Sequence, residues 1–365
     1  MEDLLNQALA AILPPDAGAM AAARAQQDAL AKPPHSLGKL EDLSVKLAGI
    51  TGRIGAPLDQ RRVLIFAADN GVAREGVSSC PQSVTLAQTI NFTRGVTGAA
   101  VLTRHFGAEL DVIDVGIDSD LHPDGVRERR VARGTRSFVH APAMTREQAL
   151  QAMTAGIEAA ERAAADGIEI LGVGEMGIGN TTTSAAALSC LLGLPAVDTV
   201  SRGSGIDDDA FRRKIRIVDE ALARWTPDPR DPVDVLAKVG GFDLAAMCGA
   251  FVGAAKVRIP AVIDGFIRAV AALCAARLNP LCAAYMLPSH ASMEKGHRLA
   301  MEALGLSPML DLNMRLGEGS GCPLAFEIAA AAQRIVREMA TFEEAEIDDG
   351  YLDGIRGNRS CLGEA

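Results

Sequence analysis

Two glutamates stand between glycines: Gly174-Glu175-Met-Gly177 and Gly317-Glu318-Gly-Ser-Gly321. Each follows a strand-like run, so both carboxylates can converge at one edge of a sheet. Paired carboxylates in a dry pocket suit a reaction that moves a proton and passes through a cation. A glycosyl centre is such a case, because its transition state resembles an oxocarbenium ion. Glu175 belongs to a longer stretch, Leu171-Gly-Val-Gly-Glu-Met-Gly-Ile-Gly-Asn-Thr-Thr-Thr183, which reads as a strand over 168–171, a glycine-rich turn, and a helix from Ser184 to Leu192. Glycines there, Gly177 and Gly179 included, let the backbone approach a ligand. A helix start offers unpaired N–H groups and a positive dipole, which suit phosphate. Asn180, Thr181 and Thr182 add donors and are placed to cap that helix. A carboxylate would repel the phosphate, which puts Glu175 beside it, at a centre that becomes positive. Lys214, Ser292 and Lys295 are further phosphate donors. Together these residues suggest a phosphorylated sugar reacting at its anomeric carbon. Taken singly, each glutamate is more often a helix-start residue favoured by the dipole, and the turn matches neither a P-loop nor the dinucleotide fingerprint. The pairing favours chemistry, but spacing alone leaves the choice open.

Other residue types offer less. His290 and His297 lie seven apart with Glu294 between them, which is not His-Glu-x-x-His spacing, and no clustered set of metal ligands is found. Seven cysteines, scattered and without Cys-x-x-Cys, read as reduced thiols used as small apolar fillers in a cytoplasmic protein. With 36 Lys and Arg against 46 Asp and Glu, the net charge of −10 argues against non-specific nucleic-acid binding. The N-terminus lacks the basic start of a signal peptide, and the most apolar run, Leu244 to Ala255, is too short to span a bilayer.

The elements that must position these residues alternate along the chain. Helical patterns flank Pro14-Pro15, and a helix from Leu37 to Ile50, with Ser36 as its expected cap, completes an N-terminal helical subdomain. Arg62 to Ala68 is an uninterrupted apolar strand of the kind a parallel sheet buries on both faces. Further strands are expected at 110–116, 128–139 (an irregular or edge strand), 261–264 and 281–287, with helices at about 83–93, 97–106, 145–165, 265–278 and up to about 340. Thr145 and Gln148 have capping-box spacing. Glycine-rich loops recur at Ser201-Arg-Gly203-Ser-Gly205, before a basic helix containing Lys214, and at Lys238-Val-Gly-Gly-Phe-Asp243. The polar tail from Glu343 is expected to fray or to pack back on the N-terminal helices. Repeated strand–loop–helix units indicate an α/β fold with a mostly parallel sheet.

Nearly the whole chain then resembles the nicotinate-nucleotide–dimethylbenzimidazole phosphoribosyltransferase family. The likeness is carried by Lys-Pro-Pro-x-Ser-Leu-Gly at 32–38, Asp-x-Gly-Val at 69–72, Asn-x-Thr-Arg-Gly at 91–95, Val-Ile-Asp-Val-Gly-Ile-Asp at 112–118, Pro-Ala-Met-Thr at 142–145, Gly-Val-Gly-Glu at 172–175 and Asn-Thr-Thr at 180–182. It continues through Asp-Val-Leu-Ala-Lys-Val-Gly-Gly-Phe-Asp at 234–243, Asp-Gly-Phe at 264–266, Pro-Ser-His-x-Ser-x-Glu-Lys-Gly at 288–296 and Met-Arg-Leu-Gly-Glu-Gly-Ser-Gly at 314–321. The resemblance implies that nicotinate mononucleotide and 5,6-dimethylbenzimidazole give α-ribazole 5′-phosphate, nicotinate and a proton, with inversion from β to α. It implies Glu318 as general base and Glu175 as the carboxylate beside the oxocarbenium-like ribose. Gly177, Gly179, Asn180, Thr181, Thr182, Gly203, Lys214 and Ser292 would hold phosphate and ribose. Cys80, Pro81, Gln88 and Leu316 would form the base pocket. It further implies a Rossmann-like sheet with helices on both faces, as a large domain over 56–339. A small helical domain would form from 1–55 and 340–365. The protein would be a homodimer whose partner chain helps complete each site, with no metal and no cofactor.

Three departures from the family's usual pattern stand out: Asn70 in place of histidine, His35 in place of glycine, and Cys80 where a small polar residue is usual. Asn70 and Cys80 bear on which base is preferred. The competing readings are a phosphoribosyltransferase for another cobamide base and a nucleotide-binding sensor without turnover. A proton acceptor in each glycine loop argues against the sensor.

Overall fold

The computed structural model describes residues 1–203 and 205–352. In chain order the elements are α1 (Glu2–Ala10), α2 (Ala17–Ala29), α3 (Lys39–Thr51), β1 (Arg61–Ala68), α4 (Val84–Thr93), α5 (Gly98–His105), β2 (Glu109–Gly116), β3 (Val126–Glu128), α6 (Arg146–Ala165), β4 (Ile170–Met176), α7 (Asn180–Leu192), α8 (Ala196–Thr199), α9 (Asp208–Trp225), α10 (Pro232–Val239), α11 (Phe242–Lys256), β5 (Ala261–Ile263), α12 (Phe266–Leu278), β6 (Met286–Pro288), α13 (Lys295–Leu304) and α14 (Cys322–Glu338).

The six strands form one parallel sheet in the order β3-β2-β1-β4-β5-β6. The apolar run from Val63 to Ala68 predicts burial on both faces, and each of these residues is fully buried. The chain leaves β1 towards β2 and β3, then returns to β4 on the other side of β1. That reversal opens a crevice beyond the carboxyl ends of β1 and β4, where doubly wound sheets bind ligands. Helices surround the sheet: α11 lies against β1, β2 and β4, and α6 packs on α11. This packing depends on small residues. A Cβ added to Gly156 of α6 would lie 1.8 Å from the carbonyl oxygen of Ala246, so the two backbones touch where glycine leaves room. The capping box of α6 forms as its spacing predicts, with Thr145 and Gln148 bonded reciprocally.

Several expected boundaries move. Of the glycine-rich stretch after Leu171, Gly172 to Met176 lie in β4, which pairs with β1 from Ile170 to Met176, and the turn is confined to Gly177, Ile178 and Gly179. Glycine in this central strand serves close approach: a Cβ on Gly174 would lie 2.8 Å from the carbonyl oxygen of Glu318. Helix α7 accordingly starts at Asn180, not Ser184, and its cap is Gly179 at φ +94°, without a side-chain cap. Of the region 128–139 only Glu128, the last residue of the short strand Val126–Glu128, is in a strand. Residues Pro280–Tyr285 form a 3₁₀ helix, begun by the Asn279 side chain accepting from Leu281 N–H and by Pro280, so β6 is three residues long.

The chain divides into two compact units. The larger comprises Met1–Leu13 and Gln60–Ala325, and the smaller Pro14–Asp59 with the chain from Phe326, against the expected 1–55 with 340–365. Helix α1 belongs to the larger unit because Asn279 donates to Leu9 O at 3.0 Å and the Tyr285 hydroxyl donates to Leu13 O at 2.7 Å. Within the smaller unit α2 is capped by Asp16, which accepts from Ala19 N–H at 2.9 Å. Ser36 does not cap α3. Gly38 holds that position, and buried Glu41 accepts from Leu37 N–H and from the Lys32 ammonium. His35 also lies in the smaller unit. The expected tail from Glu343 is described only to residue 352, where it makes a short turn at Gly350–Leu352; the rest lies outside the described residues.

Candidate active site

A cavity of about 640 Å³ opens beyond the carboxyl ends of the strands. Glu175, the penultimate residue of β4, and Glu318, in the loop before α14, both line it. Both are nearly buried, at 6% and 7% exposure. The Glu318 carboxylate accepts from Gln88 Nε2 at 2.7 Å and from Ala99 N–H at 3.3 Å. Its backbone N–H donates to Glu175 Oε1 at 3.3 Å. Glu318 stands at φ +64°, a left-handed conformation that costs a non-glycine residue about 1 kcal/mol. Burial pushes its carboxyl above the usual range and the charge of Glu175 adds to this, against the pull of Gln88, Ala99 N–H and Arg268. A raised carboxylate is a stronger proton acceptor at neutral pH than an ordinary one.

The Glu175 carboxylate is held from two sides. Arg268, fully buried on α12, pairs with its Oε1, and Asn180 donates to its Oε2. Arg268 also pairs with Asp264, just past β5. Asn180 donates as well to Asp243 at 3.1 Å, which accepts from Asn70 at 3.3 Å. Burial, helped by Glu175, pushes Asp243 up to about 7. Two carboxylates, Glu175 and Asp264, share the single Arg268 guanidinium, which leaves this cluster net negative and suits a centre that becomes positive. His290 also lines the cavity and stacks on His297 with ring centroids 6.5 Å apart. Burial lowers both, His297 to about 4, so both rings are neutral near pH 7.

The part of the wall at the start of α7 suits an anion. Gly177, Gly179, Asn180 and Thr181 bring the start of α7 to its wall, with Gly203 and Ser292 beside them. Lys214, buried on α9, donates to Thr181 Oγ1 at 2.8 Å and to Ser201 O at 3.1 Å. Burial lowers its ammonium to about 8 against the attraction of Glu294, which itself contacts the Ser201 hydroxyl. Cys80, Val84, Gln88, Met176, Ile178 and Leu316 give the cavity a more apolar end, next to Glu318.

The family model described as phosphoribosyltransferase matches residues 12–347. The chain belongs to this phosphoribosyltransferase family. It is 50% identical over 353 residues to the nicotinate-nucleotide–dimethylbenzimidazole phosphoribosyltransferase of Clostridium perfringens, covering 97% of this chain and 98% of the relative. The Geobacter sulfurreducens protein of the same name is 47% identical over 348 residues, covering 95% and 99%. Among solved structures, CobT from Thermus thermophilus matches with a TM-score of 0.88 and 42% identity, over 91% of this chain and all of that one.

The phosphoribosyltransferase cavity gathers most of the residues singled out in the sequence, from Cys80, Gln88 and Glu175 to Ser292, Leu316 and Glu318. Four lie elsewhere, one of them Lys295, exposed at the start of α13. Thr182 is fully buried in α7, away from the wall, because the helix begins earlier than its threonines suggest. Lys214 stands behind Thr181, and Pro81 lines a neighbouring hollow with Ala73, Gly76 and Ser78. Asn180 does not cap its helix; its amide bridges two carboxylates. Arg268, Asp243 and Asp264 were not singled out for chemistry. The signal was present in Arg268, a charge in the first turn of the mostly apolar helix Phe266–Leu278, four residues after Asp264.

Proposed function

We propose that Glu318 is the general base of a phosphoribosyl transfer from nicotinate mononucleotide to 5,6-dimethylbenzimidazole, which gives α-ribazole 5′-phosphate and nicotinate for cobalamin nucleotide assembly. The benzimidazole lies at the apolar end, between Cys80, Gln88 and Leu316, with its N–H towards Glu318. As its unprotonated nitrogen bonds to C1′ of the ribose, the bond from C1′ to the pyridinium nitrogen breaks. That electron pair stays on nicotinate, which leaves as a neutral pyridine ring. The benzimidazole N–H proton passes to Glu318 and on to solvent. Attack on the face opposite the leaving group converts β to α. Glu175 and the surrounding carboxylates stabilise the positive charge on the ribose. Lys214, Thr181, Ser292 and the start of α7 hold the 5′-phosphate.

The observation that carries this reading is the Glu318 carboxylate: nearly buried, raised above the usual carboxylate range, and at the cavity wall beside Gln88. The test is product formation. Glu318→Gln keeps the shape and the contact to Gln88 but accepts no proton, so turnover falls by roughly a hundredfold or more. Retained turnover in that variant would remove Glu318 from the role.

The enzyme acts in the cytoplasm as a homodimer. Reduced cysteines support the compartment, and among the described residues no helix is long and apolar enough to cross a membrane. Exposed Val96 and Val101, at the start of α5, and exposed Leu316, whose side chain reaches Gly98, offer the apolar surface a partner copy would cover. Light scattering on the purified protein reads the mass directly, and a monomer at micromolar concentration contradicts the dimer.

A further inference from the structure

We propose that Arg268 and Asp264 are positioning residues of the transfer reaction, holding the Gly317–Gly321 loop so that the carboxylate of Glu318 is aimed into the cavity. The proposal rests on Glu318 being the base.

Three backbone donors of this loop end on just two carboxylates. Glu318 N–H reaches Glu175 at 3.3 Å, Gly319 N–H reaches Asp264 Oδ2 at 3.1 Å, and Gly321 N–H reaches Asp264 Oδ1 at 2.7 Å. Glu175 comes from β4 and Asp264 from the end of β5, and the Arg268 guanidinium ties the two together. One arm of the fork takes each carboxylate, which a lysine cannot do. The loop is close against this group: a Cβ on Gly317 would lie 3.0 Å from Glu175 Oε1 and 3.4 Å from an Arg268 nitrogen.

Such a cluster is a poor way to gain stability alone. Burying charges has a high desolvation cost, and apolar residues of like volume often do as well. Here the Arg268 Nε finds no acceptor among the described residues, an incomplete satisfaction that a purely structural pair would not need. What the cluster does achieve is to over-determine the backbone at Glu318, which stays left-handed at φ +64°. Misplacing a reacting group by about 1 Å can cost a hundredfold in rate.

The groups facing the Glu318 carboxylate are Gln88 from α4, Ala99 N–H from α5, Glu175 from β4 and Arg268 from α12. Arg268 is the cation among them, and its charge favours the ionised base. Its loss therefore has a consequence for pH that a packing role would not have.

The experiment measures kcat and KM across pH for the full-length protein and for Glu318→Gln, Arg268→Met, Arg268→Lys and Asp264→Asn, with nicotinate mononucleotide binding followed by calorimetry. Arg268→Met and Asp264→Asn lower kcat by roughly a hundredfold, while KM and Kd for nicotinate mononucleotide stay within about threefold. The acid limb of kcat moves to higher pH in Arg268→Met and stays in place in Arg268→Lys, which also recovers part of the rate. Unchanged kcat, a parallel loss of binding, or an unmoved acid limb in Arg268→Met overturns the positioning role. If Arg268→Met does not fold, Asp264→Asn decides by the split between kcat and KM. A wild-type rate in Glu318→Gln sinks the base assignment instead, and so separates the two failures.

Discussion

The backbone N–H of Glu318 donates to the side chain of Glu175 at 3.3 Å, across 143 residues of sequence. The two glycine-flanked glutamates therefore form one structural unit. One presents its carboxylate to the apolar end of the cavity, while the other spends its carboxylate on Arg268, Asn180 and the Glu318 backbone. On the proposed mechanism, this division separates the proton acceptor from the charge beside the ribose.

Activity should fall at acid pH with a midpoint above the usual range for a carboxylic acid. Burial holds the Glu318 proton on to higher pH, and only the ionised form accepts a proton. The acid limb of kcat/KM for dimethylbenzimidazole reads this, and a limb at the ordinary glutamate value would contradict it.

Binding of nicotinate mononucleotide should weaken as pH rises through about 8, where Lys214 in the free enzyme loses its charge. The KM for nicotinate mononucleotide then climbs on the alkaline side, with kcat less affected. Lys214→Met removes this dependence and raises KM below about pH 8, by about tenfold or more if the contact to phosphate contributes the roughly 1.5–3 kcal/mol of a charged hydrogen bond, and the two KM values converge at higher pH. A KM that is flat from neutral to alkaline pH in the wild type counts against Lys214.

Asp243 links folding stability to pH. Its folded value, raised to about 7 from 3.8, means that the folded protein holds a proton the unfolded chain has released. The stabilisation is complete below the unfolded value and is lost as pH rises to about 7. Asp243→Asn, neutral throughout, should flatten that part of the curve of denaturant midpoint against pH. An unchanged slope in the variant would mean that Asp243 is ionised throughout.

Gly156→Ala should destabilise without touching chemistry. The added methyl would lie 1.8 Å from the carbonyl oxygen of Ala246, so α6 and α11 must separate. Overpacking of this kind costs about 1–3 kcal/mol. The readout is a lower unfolding midpoint at unchanged kcat, and an unaltered midpoint contradicts the close approach.

Much of this was legible in the chain because burial and strand type write themselves into composition. The apolar run before Asp69 announces a central parallel strand, and Thr145 with Gln148 announces a helix start. Glu175 and Glu318 were legible as a pair because each stands among glycines. The limits of β4 were not, since glycines inside a strand look like a turn until the Glu318 backbone that needs the space is in place. Asp243 was hidden for a related reason: its side-chain partners Asn70 and Asn180 lie far along the chain, and Asp264, although Arg268 stands four residues on, gave no local sign of its bonds to the backbone of Gly319 and Gly321. Thr182 reads as a donor because it is a threonine near a helix start, and the structure buries it inside α7, which has already begun at Asn180.

The most direct test incubates the protein with nicotinate mononucleotide and 5,6-dimethylbenzimidazole and separates the products by chromatography, for the wild type and for Glu318→Ala. The account predicts a peak of α-ribazole 5′-phosphate in the wild type, with its α configuration visible by NMR, that drops by roughly a hundredfold or more in the variant. A β-configured product, or a peak of equal size in Glu318→Ala, would contradict it.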